Sequence, residues 1–186
     1  KGDVFIENAM QDDLITFLNT IRKVGGKYDV KDNGIRFYYD GELKPKAIET
    51  NVHPGFMTDW QQPFVILMTQ ANGLSIVHET VYEERFGYIS ELKKMGAEIE
   101  LYDSCLGGLE CRFANTHYFH SAVIKGPTPL YSAEITVPDL RAGFSYLIAG
   151  IIAKGESLVN GAIYIDRGYE EIDAKLKKLG ADIRRV

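Results

Sequence analysis

The chain has 186 residues, 45% of them hydrophobic and 25% charged, which is typical of a folded domain and excludes a disordered segment. The 26 acidic residues outnumber the 21 basic ones, and the net charge of -5 argues against nucleic acid or an anionic membrane as a general partner. No apolar run reaches the roughly 18 residues of a membrane helix, and no signal peptide opens the chain, so we expect a cytoplasmic location.

A repeated pattern predicts that the chain is built from similar units. Two segments, 73–96 and 155–180, each begin with a glycine and carry an arginine, Arg85 or Arg167, twelve positions later. A third copy, 2–25, lacks the arginine. Repeats of this kind indicate a fold in which one supersecondary unit recurs.

Each copy has the pattern strand, turn, helix, glycine, strand. In the first copy, apolar residues at helical spacing predict a helix that ends before Gly25. We interpret 37–39 and 43–50 as a hairpin that closes this copy. In the second, Ile76-Val77 and Val81-Tyr82 have the composition of strands.

The second and third copies are preceded by an additional apolar helix, around 64–68 and over 144–153 respectively. A strand is predicted from Ala97 to Tyr102, and 103–129 is interpreted as a strand pair with a long loop. The predicted units are 1–52, 53–129 and 130–186, which share one lobe. Because the first has no upstream helix, the chain is expected to start inside a unit.

Two aspartates, Asp59 and Asp139, occupy equivalent positions at helix starts. An acid there commonly caps the helix, and Thr58 with Gln61 would fit a capping box. Pro63, however, suits only the first turn of a helix. A later helix start would leave Asp59 on the preceding turn, where it is free to face a ligand.

Three arginines, Arg85, Arg141 and Arg167, lie at the junctions of units. Each on its own would be interpreted as a solvated or ion-paired surface residue. If the junctions converge, the three guanidinium groups form a site for a small polyanion, since arginine binds carboxylate and phosphate in a bidentate manner.

The spacing of the cysteines and histidines predicts no metal site. Cys105 and Cys111 match no zinc pattern and are expected to be free thiols. His117 and His120 are close in sequence, but no thiol or acid lies at a matching spacing.

Four segments resemble the UDP-N-acetylglucosamine 1-carboxyvinyltransferase family. They are 53–61 (His-Pro-Gly-Phe-Met-Thr-Asp-Trp-Gln), 126–130 (Gly-Pro-Thr-Pro-Leu), 137–142 (Val-Pro-Asp-Leu-Arg-Ala) and 164–170 (Tyr-Ile-Asp-Arg-Gly-Tyr-Glu). The resemblance implies an α/β fold, an inside-out α/β barrel lobe of three βαβαββ units, the first of them incomplete. The missing first lobe of the same enzyme would be its partner. Met57 and Pro138 depart from the family pattern, which puts the local turn geometry in question.

The resemblance also implies an activity: transfer of the enolpyruvyl group of phosphoenolpyruvate to UDP-N-acetylglucosamine, without metal or cofactor. Asp59 matches the carboxylate that accepts the proton of the sugar 3-hydroxyl, and Asp139 matches a second acid near the reacting carbons. The residues expected to bind substrate are Arg85, Arg141 and Arg167 for phosphoenolpyruvate, and the backbone of Val81 for the uridine diphosphate.

Three alternatives remain: the sister enzyme that acts on shikimate 3-phosphate, a non-catalytic binding module for a nucleotide sugar, and a structural repeat protein without a ligand.

Overall fold

The first unit is a three-stranded antiparallel sheet with one helix packed beside it. The computed structural model describes residues 2–108 and 110–186. The elements of this unit are β1 (Asp3–Glu7), α1 (Ile15–Lys23), β2 (Lys27–Lys31) and β3 (Gly34–Tyr38). The sheet order is β1-β3-β2, with β3 in the middle. Strands β2 and β3 thus form the hairpin of this unit.

The second unit contains the complete predicted series βαβαββ. Its elements are β4 (Ala47–Glu49), α2 (Gln61–Thr69), β5 (Gly73–His78), α3 (Ile89–Lys94), β6 (Glu98–Tyr102) and β7 (Ser121–Gly126). They form a sheet of order β4-β5-β7-β6, in which β4 and β5 are parallel and β7 is antiparallel to both of its neighbours. The parallel pair requires a crossover connection, and α2 supplies it.

The third unit repeats this crossover with shorter strands. Its elements are β8 (Glu134–Thr136), α4 (Leu140–Ile152), β9 (Leu158–Asn160), α5 (Ala162–Asp166) and α6 (Ile172–Lys178). Strands β8 and β9 are parallel, as β4 and β5 are. After α6, the six residues 181–186 form no strand in the described structure.

Two apolar helices, α2 and α4, pack against each other at the centre, and the sheets lie outside them. Seven of the nine residues of α2 are buried, as expected for a helix enclosed on nearly all sides. A mainly apolar cavity of about 1060 Å³ lies between these helices and the first unit, lined among others by Phe17, Phe64 and Phe144. No helix in the described ranges is long and apolar enough to cross a bilayer.

The glycine signals of the three copies are confirmed. Gly25, Gly96 and Gly180 have φ angles of 93°, 93° and 92°, in the left-handed region that a side chain disfavours. Each directly follows the last turn of α1, α3 or α6, so a glycine in the left-handed conformation ends the outer helix of every unit.

Four local predictions are wrong. The strand predicted after the glycine of the third copy is not found, because 181–186 form no strand in the described structure, and the described part of 103–129 contains one strand, β7, instead of a pair. Segment 43–50 does not pair with 37–39, because its strand β4 lies parallel to β5 and belongs to the sheet of the second unit. That unit therefore has a strand upstream of residue 53. Val81 and Tyr82 are not in a strand either, because β5 ends at His78 and their backbone N–H groups bond to a side chain instead.

Candidate active site

Aromatic rings pack against the turn that carries Asp59. The 3-10 turn Thr58–Trp60 precedes α2, and Pro63 lies in the first turn of that helix. The ring of Trp60 packs against Phe56 and Phe17, with centroids 5.5 and 5.3 Å apart. This packing fixes the turn and leaves the Asp59 side chain 69% exposed. The later helix start predicted from Pro63 is confirmed, and no side chain in the described ranges caps α2.

A buried carboxylate, Glu79, ties this turn to the end of β5. Its oxygens accept hydrogen bonds from the hydroxyls of Thr50 (2.8 Å) and Thr58 (2.9 Å) and from the N–H groups of Val81 (2.8 Å) and Tyr82 (3.0 Å). A buried charge needs such partners, because an unpaired one is costly. Glu79 thus fixes three chain segments relative to one another.

The sequence analysis did not identify Glu79. The signal that was available is an acid directly after a buried strand, a position where polar residues often serve a site.

Asp59 meets two of the predicted arginines. Its Oδ1 lies 2.9 Å from Nη2 of Arg85 and 3.8 Å from Nε of Arg141. The Arg85 side chain is only 4% exposed, and its buried Nε has no hydrogen-bond partner among the described residues. The guanidinium carbons of Arg85 and Arg141 lie 5.3 and 5.0 Å from the centroid of the Tyr82 ring. Two guanidinium groups thus converge on one carboxylate, which leaves an excess of positive charge.

Asp139 and Arg167 are placed differently. Asp139 caps α4, accepting at Oδ1 from the N–H groups of Arg141 (2.7 Å) and Ala142 (3.0 Å). Arg167 is exposed at the end of α5 and makes no ion pair within the described ranges. The roles of both in a reaction remain predictions.

The backbone after Arg167 nevertheless lies beside the cluster. A Cβ added to Gly168 would come within 2.2 Å of Cδ1 of Leu140, in the first turn of α4. The next residue, Tyr169, stacks on Phe144 with a centroid distance of 5.2 Å. Burial and the charge of Asp59 raise the pKa of Tyr169, while Arg85 opposes this rise. These contacts place the two residues after Arg167 against the first turns of α4.

Val81 is half-buried at the edge of this site. Because its N–H donates to Glu79, any contact of Val81 with a ligand must use its carbonyl oxygen or its side chain. The contact of the Val81 backbone with the uridine diphosphate stays a prediction, and only the carbonyl oxygen is available for it.

The cluster is suited to bind a small anion and to hold a carboxylate beside it. Guanidinium groups bind phosphate and carboxylate through paired hydrogen bonds. An exposed carboxylate next to them can accept a proton from a bound hydroxyl group. Asp59, Arg85 and Arg141 therefore provide the components of acid–base chemistry on an anionic substrate.

The chain matches the model of a known family over most of its length. The model of EPSP synthase (3-phosphoshikimate 1-carboxyvinyltransferase) matches residues 1–176. The chain belongs to this family. The resemblance noted in the four sequence segments is also confirmed, because the chain is similar over its full length to enzymes named UDP-N-acetylglucosamine 1-carboxyvinyltransferase.

Two such relatives come from chlamydial species. The one from Protochlamydia amoebophila is 57% identical over 187 residues, covering 100% of this chain and 40% of the relative. The one from Chlamydia muridarum is 49% identical and covers 98% of this chain and 42% of the relative. The chain therefore spans about two-fifths of the length of these relatives.

Solved structures confirm the predicted fold class. The enolpyruvyl transferase NikO from Streptomyces tendae superposes with a TM-score of 0.82 at 23% identity, covering 99% of this chain and 40% of that one. EPSP synthase from Acinetobacter baumannii gives 0.68 at 14% identity, covering 100% and 40%. At these identities the likeness concerns the fold alone, the inside-out α/β lobe.

The fold brings a thiol to His120, although the sequence offers no thiol at a matching spacing. The loop after β6 folds back, and Sγ of Cys105 lies 3.4 Å from Nε2 of His120. His78 and Cys111 are in the same cluster. Both cysteines are free, as expected.

Proposed function

We propose that this chain is one lobe of a UDP-N-acetylglucosamine 1-carboxyvinyltransferase. The enzyme would transfer the enolpyruvyl group of phosphoenolpyruvate to the 3-hydroxyl of UDP-N-acetylglucosamine and release phosphate. This is the first committed step of peptidoglycan synthesis, and so contributes to the cell wall on which cell shape and division depend. We propose that the enzyme acts in the cytoplasm.

The observation that carries the proposal is the contact of Asp59 with Arg85 and Arg141. In the proposed reaction the sugar hydroxyl adds across the enol double bond, which converts the methylene carbon into a methyl group. Loss of phosphate together with a proton of that methyl group then restores the double bond. A hydroxyl group is a weak nucleophile, so a carboxylate that removes its proton accelerates the addition. Asp59 is the exposed carboxylate of the cluster and would have this role.

The arginines would hold the phosphate and carboxylate of phosphoenolpyruvate. Fixed cations stabilise such charge best in a cleft from which water is excluded. This chain provides one wall of the cleft. The other lobe of the enzyme, as partner, would close over it and complete the site. We therefore expect no turnover from the chain by itself.

The test measures phosphate release from phosphoenolpyruvate by the full-length polypeptide, with UDP-N-acetylglucosamine and shikimate 3-phosphate as separate acceptors. We expect phosphate release when the acceptor is UDP-N-acetylglucosamine and none when it is shikimate 3-phosphate. Release only when shikimate 3-phosphate is the acceptor would favour the sister activity, which is the activity in the name of the matching family model. Tight binding of the nucleotide sugar without any release would instead identify a binding module.

A further inference from the structure

Four side chains with metal-ligating atoms meet at the carboxyl end of β5. Each of His78, Cys105, Cys111 and His120 offers one ligand atom, and these atoms all lie within 4.8 Å of one another. The sulfur atoms of the two cysteines are 3.5 Å apart, and Sγ of Cys105 is 3.4 Å from Nε2 of His120. Two thiols and two imidazoles form the donor set of many structural zinc sites.

Two of the distances between the ligand atoms are close to the edges of a zinc tetrahedron. With Zn–S bonds of about 2.3 Å and Zn–N bonds of about 2.0–2.1 Å, tetrahedral geometry requires sulfur–sulfur and sulfur–nitrogen separations of about 3.5–3.8 Å. The observed separations of 3.5 and 3.4 Å lie at the lower limit of that range and just below it. Because the other separations are at most 4.8 Å, side-chain shifts of up to about 1 Å would bring all four atoms to tetrahedral distances.

His78 supplies a second, independent observation. Its side chain is fully buried, yet neither ring nitrogen has a hydrogen-bond partner among the described residues. Burial of a polar group without a partner is costly, and buried groups of this kind call for an explanation such as an ion. A zinc ion in the cluster would occupy one of these nitrogens.

The surroundings orient the other ligands toward the same point. Nδ1 of His120 lies 2.7 Å from the carbonyl oxygen of Tyr118, which leaves Nε2 free to ligate. The N–H groups of Cys111 and Phe113 each point at a cysteine sulfur at 3.4 Å. Such donors stabilise thiolates, the form in which cysteine binds a metal.

We propose that His78, Cys105, Cys111 and His120 bind a zinc ion. Thiolate and imidazole ligands favour zinc over magnesium or calcium, which take oxygen ligands. Four protein ligands leave no open position, so the site is structural and takes no part in the chemistry of the reaction.

The ion would anchor the long loop between β6 and β7 to the active-site turn. His78 directly precedes Glu79, whose N–H bonds to the carbonyl oxygen of His120 at 2.7 Å. Three of the four ligands lie in or at the end of that loop, and the fourth ends β5. Zinc would therefore hold the loop against the strand from which Glu79 positions Val81 and Tyr82.

The experiment measures metal in the full-length polypeptide, produced without a polyhistidine tag in zinc-supplied medium and purified under reducing conditions without chelators. Elemental mass spectrometry should find about one zinc ion per chain. Replacing it with Co²⁺ should give a thiolate-to-cobalt charge-transfer band and the intense visible bands of tetrahedral cobalt. Cys105→Ser and Cys111→Ser should lower the zinc content to background.

The matched control is His117→Ala, which changes an exposed histidine of the same loop outside the cluster and should leave the zinc content unchanged. Circular dichroism shows that each variant is folded. The proposal is overturned if folded, reduced wild-type protein neither contains zinc nor binds added Zn²⁺, or if zinc persists in the double cysteine variant. If the zinc-free protein has a Cys105–Cys111 disulfide and does not bind Zn²⁺ after reduction, the two cysteines form a redox pair and the zinc site is excluded.

Discussion

The turns of Asp59 and Asp139 have equivalent positions in two units and do different things. Asp139 is the N-cap of α4 and satisfies two backbone N–H groups of that helix. Asp59 lies in a 3-10 turn before α2, leaves that helix uncapped, and turns to Arg85. The repeated acid therefore makes a structural contact in one unit and faces a charged site in the other.

The largest expected effect is that of Asp59→Asn on turnover. Asparagine has nearly the same shape but cannot accept the proton of a bound hydroxyl group. We expect kcat to fall by about 100- to 10,000-fold, the usual contribution of a general base. Binding of UDP-N-acetylglucosamine, measured by calorimetry, should change little.

Asp40→Asn is the matched control for this substitution, because Asp40 is exposed in the loop after β3 and makes no ion pair within the described ranges. It should keep full turnover. Near-wild-type turnover of Asp59→Asn would rule out the role of Asp59 as a base.

The next effect concerns Arg167, the arginine that the structure leaves without an ion pair in its described part. If Arg167 turns toward phosphoenolpyruvate, Arg167→Ala removes a charge-assisted contact of about 1.5–3 kcal/mol, or roughly 10- to 100-fold in affinity. Fluorescence or calorimetric titration measures this. Arg184→Ala, which removes a surface pair with Glu156, is the control and should leave affinity unchanged. Equal affinities for both variants would exclude Arg167 from the site.

Two substitutions of Asp139 distinguish a role as helix cap from a role in the reaction. Asp139→Ala should lower the free energy of unfolding by about 1 kcal/mol, since the cap of α4 is lost. Asp139→Asn should retain that stability, because asparagine caps as well as aspartate, and should still lose turnover if the acid acts near the reacting carbons. Denaturant unfolding and steady-state kinetics give the two readings. Full turnover of the asparagine variant would confine Asp139 to the cap.

Local signals made the helices and their ends predictable. The left-handed glycines and the effect of Pro63 on the start of α2 depend on neighbouring residues only, and the structure agrees with both. The predicted convergence of the unit junctions holds for Arg85 and Arg141, which meet at Asp59, whereas Arg167 makes no ion pair within the described ranges. Glu79 and the cluster around His78 could not be predicted in this way. Their partners are 15 or more residues away in sequence in most cases, and only the folded sheet brings them together.

The carboxyl-terminal elements of the second and third units are stabilised by different interactions. The prediction that follows from this difference has the smallest expected effect. The second ends in β6 and β7, which are paired within a four-stranded sheet. In the third, α6 has no fully buried side chain, and Arg185 beyond it reaches Asp166 at 2.6 Å and Asp173 at 3.0 Å. These are surface pairs, which contribute little stability each.

Hydrogen bonds from Arg185 lower the pKa of both Asp166 and Asp173 in the folded chain. A lowered pKa means that the pairing contributes stability above the unfolded value of about 3.9, and that this contribution is lost as the pH falls through the folded values. The amide NMR signals of α6 should therefore shift toward a frayed helix at acid pH before those of α3 do. Arg185→Gln should abolish this difference in pH response, because it removes the partner of both carboxylates. If α3 and α6 respond together in both proteins, the end of the third unit is held by packing rather than by its charges.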